Sequence, residues 1–166
     1  MSAITIPKEY VPCAGERTQA DGTRSVAYPA AALVSTFWLT VFQTINVGRA
    51  RRRAKIPYPQ LYAEKAEAAA SKDAVIFNCA QRAHQNTLEY LPTIITGTLI
   101  TSLRHPILAA ALCSAWVASR FLYTIGYSTG DPAKRNNFFS GVIGSLGWFA
   151  IVGTSTWTVI ELIRAL

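Results

Sequence analysis

An all-α integral membrane protein of four helices is the fold this sequence predicts. Three observations carry the prediction. Of 166 residues, 51% are hydrophobic and only 15% charged, against roughly a quarter charged in an ordinary soluble domain. The apolar residues gather into four long stretches joined by connections rich in Pro, Lys and Arg. The net charge of +7 fits a membrane topology, because Lys and Arg gather on the cytoplasmic side. This composition excludes a disordered chain, a coiled coil and an ordinary nucleic-acid-binding domain. The length suits one domain.

A helix needs about 20 mostly apolar residues to cross the hydrocarbon core. The first candidate, Ala27 to Val47, carries no charge. It begins well inside the chain after a polar stretch, unlike a secretory signal. Gly48 to Lys55, GRARRRAK, follows it as a stop-transfer signal. The second candidate runs from about Val75 to Leu103. Its C-terminal half is uncharged, whereas its N-terminal half holds Arg82, His84 and Glu89. The third, Pro106 to Tyr127, contains one ion, Arg120; the fourth, about Phe138 to Ile160, contains none. These spans leave no room for a soluble catalytic domain.

The connections fix the topology. The first loop is the longest, with Pro57, Pro59 and seven cations: Arg49, Arg51, Arg52, Arg53, Lys55, Lys65 and Lys72. The second is a tight turn at Arg104-His105-Pro106. The third, at Gly130-Asp131-Pro132, is followed by Lys134 and Arg135. The basic excess puts loops one and three in the cytoplasm and both termini on the opposite side. Residues 1–26 mix Gly, Pro, Thr and charges without a period. They are expected to form a poorly ordered extension, leaving 27–166 as the transmembrane domain.

Ionisable groups inside a span cost about 2.5–3.5 kcal/mol each on insertion scales, and they usually face the bundle interior and mark function. Here they cluster. Arg82, Asn86, Glu89 and Tyr90 fall on one stripe of the second helix, and Arg120, Tyr123 and Tyr127 share one face of the third. Both sets sit near the cytoplasmic ends, level with Arg51, Arg52 and Arg135. Each residue also has a structural reading. Arg82 and Glu89 would serve as an internal ion pair, the tyrosines as an interfacial belt, and Arg51 and Arg52 as topology anchors. As a set they suit a small zwitterionic ligand with more negative than positive charge. Arginines would fork its carboxylates, Glu89 would hold an ammonium group, and Asn86 and the tyrosines would fix its orientation.

Other chemistry is sparse. HExxH, P-loop and GxSxG motifs are absent from the sequence. His84 has no obvious carboxylate to orient it as a base. His105 lies in a turn on the far side and reads as a surface residue. Cys13, Cys79 and Cys113 form no CxxC pair, so neither a disulfide framework nor a metal site is expected. Cys79 and Cys113 read as buried small residues. Ser140 with Gly144, and Gly97 with Thr101, favour close helix contacts, contacts between subunits included. A channel subunit would need polar residues across the full bilayer depth, and the far half of helix two and helix four offer none. The arginine cluster adjoins a span, so topology explains it better than nucleic-acid binding does.

The run FNCAQRAHQNTLEYLP, Phe77 to Pro92, resembles the second-helix motif of the membrane-associated proteins of eicosanoid and glutathione metabolism, the MAPEG family. INVGRARRRAKIPYP, Ile45 to Pro59, and SRFLYTIGYSTGDPAKR, Ser119 to Arg135, are similar to the first loop, third helix and third loop of its type 3 microsomal glutathione transferase branch. The similarity covers the chain from about Ala30 onward, and RAxxNxxEYxP is a specific motif. Two departures stand out. A run VPCAGERTQADGTRSV separates Lys8-Glu9-Tyr10 from the first span, and the cysteine-rich tail of some type 3 members is lacking, so tail acylation is not expected.

The resemblance implies a four-helix bundle assembled as a homotrimer, with glutathione between neighbouring subunits near the cytoplasmic face. It implies glutathione contacts at Arg51, Arg82, His84, Asn86, Glu89, Tyr90, Tyr123 and Tyr127. The arginine that stabilises the thiolate falls on Arg135 if one residue is added after Tyr127, and on Lys134 in ungapped counting. Arg52 matches an arginine that acts on the second substrate. That substrate would be a lipophilic electrophile or a lipid hydroperoxide arriving through the membrane lipids, and no metal would be needed. The implied location is the endoplasmic reticulum membrane, with the mitochondrial outer membrane as the alternative. The family also includes lipid-presenting members without transferase activity, so a non-catalytic lipid-binding or scaffold protein is the competing class. In such members the glutathione residues are typically eroded, and here they are present.

Overall fold

A computed structural model describes residues 14–135 and 138–166. The chain forms helices α1 (Ala14–Ala54), α2 (Lys65–Ala70), α3 (Lys72–Ser102), α4 (Pro106–Tyr127) and α5 (Gly144–Arg164). A 3₁₀ turn, Pro132–Arg135, and a π-helical turn, Phe138–Ile143, lie between α4 and α5. Described residues outside the helices form turns and loops, with no strand among them.

Among the described residues, three segments are long and apolar enough to cross a membrane: Ser25–Ala54, Pro106–Tyr127 and Phe138–Arg164. The 31 residues of α3 reach roughly 46 Å at 1.5 Å per residue, so it has the length. Lys72, Asp73, Arg82 and Glu89 keep it less apolar than the other three. The four expected spans are therefore three apolar helices and one long helix with a polar face.

The first helix starts earlier than expected. Residues 1–13 of the expected extension, Cys13 with them, lie outside the described residues. From Ala14 onward the backbone is already helical, not irregular as the absence of a period implied. Nucleation is the costly step of helix formation, whereas propagation adds one hydrogen bond per residue fixed. A span that is already helical therefore extends upstream through good formers such as Ala14, Glu16, Arg17, Gln19 and Ala20. At the other boundary, α4 begins with Pro106 at its first position, where a missing N–H costs nothing and φ is preset.

Side-chain contacts set the register. The pairs Asn46–Ser128 and Cys113–Ala32 show that α1 and α4 run in the same direction. The pairs Thr101–Thr154 and His105–Glu161 show that α3 and α5 do likewise. Gln43, fully buried, joins three helices: its amide donates to Thr87 of α3 and Thr124 of α4, each at 2.8 Å. Both hydroxyls donate onward to their own helices, at Ala83 and Arg120, so each is free to accept from Gln43. Around this link lies an apolar core of Leu39, Ile94, Cys113, Trp116 and Ile151. Cys79 and Cys113 are buried free thiols, in line with their reading as small core residues. His105 is partly exposed in the turn, as expected, and also ties the α3–α4 turn to Glu161 at 3.0 Å.

The small-residue faces are used within the chain. A Cβ on Gly97 would meet Ile151 Cγ2 of α5 at 2.3 Å, and one on Gly144 would meet Ser119 Oγ of α4 at 2.9 Å. Ile is β-branched and holds one rotamer in a helix, so Ile151 cannot swing aside. Gly97→Ala is therefore expected to lower the unfolding temperature in detergent, by overpacking of about 1–3 kcal/mol. In an Ile151→Ala background, which lacks the clashing carbon, Gly97→Ala should cost less than it does in the wild type. A Gly97→Ala protein as stable as the wild type would refute this packing.

Candidate functional site

The polar groups meet at the end of the molecule where α1 and α4 finish and α3 and α5 begin. A cavity of about 400 Å³ opens there, lined by Arg82, Asn86 and Tyr90 of α3, Trp116, Arg120 and Tyr123 of α4, and Arg135 of the 3₁₀ turn. Ser140, Gly144 and Trp148, from the π-helical turn and α5, close the far wall. The volume lies within the range of small-ligand sites.

On α3, the stripe read from sequence is continuous. Arg82 pairs with Glu89 two turns away at 2.9 Å, and Asn86, between them, donates to the other carboxylate oxygen at 3.2 Å. The pair is only half covered, with side chains 44% and 48% exposed. In water such a pair contributes little. Were α3 to pass through hydrocarbon, such exposure would require a polar or protein neighbour.

Arg120 is the hub. It is buried, and its Nη2 donates to Asn86 Oδ1 at 2.6 Å. Its guanidinium lies 4.7 Å from the centre of the Tyr123 ring, 5.2 Å from Tyr90 and 5.5 Å from Trp116. Desolvated cation–π contacts of this kind are each worth up to about 2 kcal/mol. Two buried donors on the cavity wall, Nε of Arg120 and Nε1 of Trp148, have no acceptor among the described residues.

Arg135 completes the ring of cations. Its Nη1 donates to Tyr127 Oη at 3.2 Å, and its guanidinium sits 5.3 Å over the same ring. Lys134, the alternative from ungapped counting, is exposed and lines no part of the cavity. Tyr123 and Tyr127 stand edge to face at 5.6 Å, as their spacing on one face of α4 implies.

Three expected site residues stand apart from the cavity of their own chain. Arg51 is buried at the end of α1, where it donates to the carbonyls of Gln60 at 2.7 Å and Pro57 at 3.4 Å. It also stacks on Tyr58 and Phe77, at 4.4 and 4.5 Å from the ring centres. Within the single chain it clamps the first loop. Arg52 is exposed, and His84 is half-buried away from the cavity lining.

The clamped loop brings in a residue that the sequence reading missed. The amide of Asn78 on α3 exchanges two hydrogen bonds with the backbone of Ala63, at 2.7 and 2.9 Å. This docks the loop so that the Tyr62 hydroxyl donates to Gln85 Oε1 and lies beside Arg82. Burial holds the Tyr62 phenol above its ordinary pKa, and the Arg82 guanidinium works in the opposite direction. Trp116 and Trp148 were also missed. Trp116 had a signal, standing four residues before Arg120. Trp148 had none, because only packing brings it edge-on to Tyr90 at 5.7 Å.

The model of the MAPEG family matches residues 28–158, most of the chain. The chain is also similar to sll1147, an uncharacterized protein of Synechocystis sp. The two are 28% identical over 120 residues, covering 72% of this chain and 80% of that protein.

Proposed function

The chain belongs to the MAPEG family, and from that membership we propose that it is a membrane-bound glutathione transferase with glutathione peroxidase activity. One observation carries the reading. Arg82, Arg120 and Arg135 surround one cavity together with Asn86, Tyr90 and Tyr123, and a single carboxylate, Glu89, pairs with Arg82 at its edge. Glutathione bears two carboxylates and one ammonium group, and the charge of the cavity complements it. Arg82 would take a carboxylate, Glu89 the ammonium group, and Asn86, Tyr90, Tyr123 and Tyr127 would fix the tripeptide backbone.

Arg135 would then face the thiol. A thiol has a pKa near 8.5 and reacts as the thiolate. A guanidinium close by in a partly desolvated site favours the anion by charge and hydrogen bonding. The thiolate can attack carbon, as in an epoxide: the new C–S bond forms, the C–O bond breaks, and the alkoxide takes a proton from water. It can instead attack the outer oxygen of a lipid hydroperoxide. The O–O bond breaks, the lipid alkoxide takes a proton from water and leaves as an alcohol, and the sulfenic acid formed on glutathione condenses with a second glutathione to give the disulfide and water. Arg52 would assist at the second substrate.

We read the active form as a homotrimer in the endoplasmic reticulum or mitochondrial outer membrane. A subunit boundary would cover the half-exposed Arg82–Glu89 pair, which hydrocarbon cannot satisfy. His84 and Arg51 would then reach glutathione across that boundary.

Titrating detergent-purified protein with glutathione, while following the ultraviolet band of the thiolate, tests the reading. A saturable band at neutral pH is the expected outcome. Absence of both the band and glutathione binding would overturn it and favour a lipid-binding or scaffold role.

A further inference from the structure

We infer that Gly126 and Ser140 are positioning residues that hold Arg135 over Tyr127. The inference rests on the reading of Arg135 as the group that meets the thiolate. Arg135 reaches the cavity from a four-residue 3₁₀ turn, Pro132–Arg135. So short a turn has poor hydrogen-bond geometry and little stiffness of its own. What fixes it comes from the elements on either side.

On the α4 side, the turn is pressed against Gly126. A Cβ built there would come 2.3 Å from the carbonyl oxygen of Lys134, 3.1 Å from its carbonyl carbon and 3.7 Å from the nitrogen of Arg135. These are backbone atoms, so no rotamer change relieves the clash. Any larger residue must push the turn off the helix. Gly126 is needed for close approach and not for conformational freedom, since Gly130 is the glycine with positive φ among the described residues. On the α5 side, Ser140 is buried in the π-helical turn and donates its hydroxyl to the carbonyl oxygen of Arg135.

The two contacts act on the same few atoms. Gly126 is followed directly by Tyr127, whose hydroxyl and ring receive the Arg135 guanidinium. One step of helix therefore carries both the seat for the turn and the platform for its arginine. Displacing a catalytic group by about 1 Å can cost on the order of a hundredfold in rate. Loosening either contact should therefore impair thiolate formation without removing any side chain assigned to glutathione.

The test uses the full chain in detergent with glutathione as the probe. Arg135→Ala, Gly126→Ala and Ser140→Ala are compared, with Gly153→Ala as the control, because nothing lies within 4 Å of a Cβ there. Two readouts are taken: the thiolate band at saturating glutathione, and the rate at which phenylglyoxal modifies Arg135, followed by peptide mass spectrometry. In Gly126→Ala and Ser140→Ala the thiolate band should fall by about threefold or more while the protonated thiol still binds. Arg135 should be modified faster in both, kcat should fall more than KM for glutathione rises, and Gly153→Ala should match the wild type.

Wild-type modification rates in folded Gly126→Ala and Ser140→Ala would overturn the inference. If Gly126→Ala does not fold, Ser140→Ala alone decides. A band that survives in Arg135→Ala would remove the thiolate role of Arg135, whereas the modification rates would still decide whether Gly126 and Ser140 hold the turn.

Discussion

Arg135→Ala should lose turnover by about a hundredfold or more, the scale of removing one preorganised donor from a developing anion, while glutathione still binds. The reasoning separates ground-state contacts from thiolate stabilisation. On that reading binding energy would come from groups along the tripeptide, the α3 stripe above all, where Arg82, Asn86 and Glu89 remain in place. On the proposed reading Arg135 would touch the reaction only through the sulfur. Its positive charge would lower the thiol pKa, so its removal should move the pH–rate profile upward by about one to two units. The variant should then regain rate as pH rises, because hydroxide supplies the thiolate that the cation no longer favours. Lys134→Ala should leave turnover near that of the wild type, since Lys134 is exposed and outside the cavity lining. Steady-state kinetics over a range of pH, with glutathione affinity measured separately, checks both variants. Equal losses of binding and turnover in Arg135→Ala, or a lost thiolate in Lys134→Ala, would contradict the assignment.

Much of this arrangement is legible in the sequence, and the reasons are physical. Helix α4 is bounded by Pro106 and by the Gly130-Asp131-Pro132 turn, so both its ends are written in local chemistry. The stripe Arg82–Asn86–Glu89 follows from helical period alone, and so does the shared face of Arg120, Tyr123 and Tyr127. Contacts between elements are less legible. Arg120 stands out as the single ion of an apolar span, yet its acceptor, Asn86, is 34 residues away and only packing selects it. Arg51 binds backbone carbonyls of the first loop, and a carbonyl carries no sequence signal. The start of α1 at Ala14 was illegible for another reason. A polar stretch without a period reads as irregular until a neighbouring span supplies the nucleus. The 3₁₀ turn, which sets Arg135 over Tyr127 and leaves Lys134 exposed, was likewise not legible.

The second large effect is expected at Asn86, in stability as much as in binding. Asn86→Leu removes the side-chain acceptor of a buried guanidinium, leaving Arg120 only the longer contact to the residue 86 carbonyl, at 3.4 Å. Leaving a buried guanidinium without its side-chain hydrogen-bond acceptor typically costs about 1.5–3 kcal/mol, because the charge stays desolvated with one partner fewer. Arg120→Leu is the milder change. It removes the charge itself and leaves behind a half-buried amide, which still has Glu89 at 3.2 Å. The double variant Asn86→Leu with Arg120→Leu should therefore be more stable than Asn86→Leu alone, since two apolar side chains replace a polar pair in an apolar surround. Thermal unfolding of the four proteins in one detergent closes the cycle. The expected sign is a strong favourable coupling between the two positions, with glutathione binding lost in Asn86→Leu and not restored in the double variant. Simple additivity would mean that Arg120 is held by the rings of Tyr90, Trp116 and Tyr123 alone. In that case Asn86 would serve only the ligand, and the hydrogen bond at the centre of the cavity wall would have no part in folding.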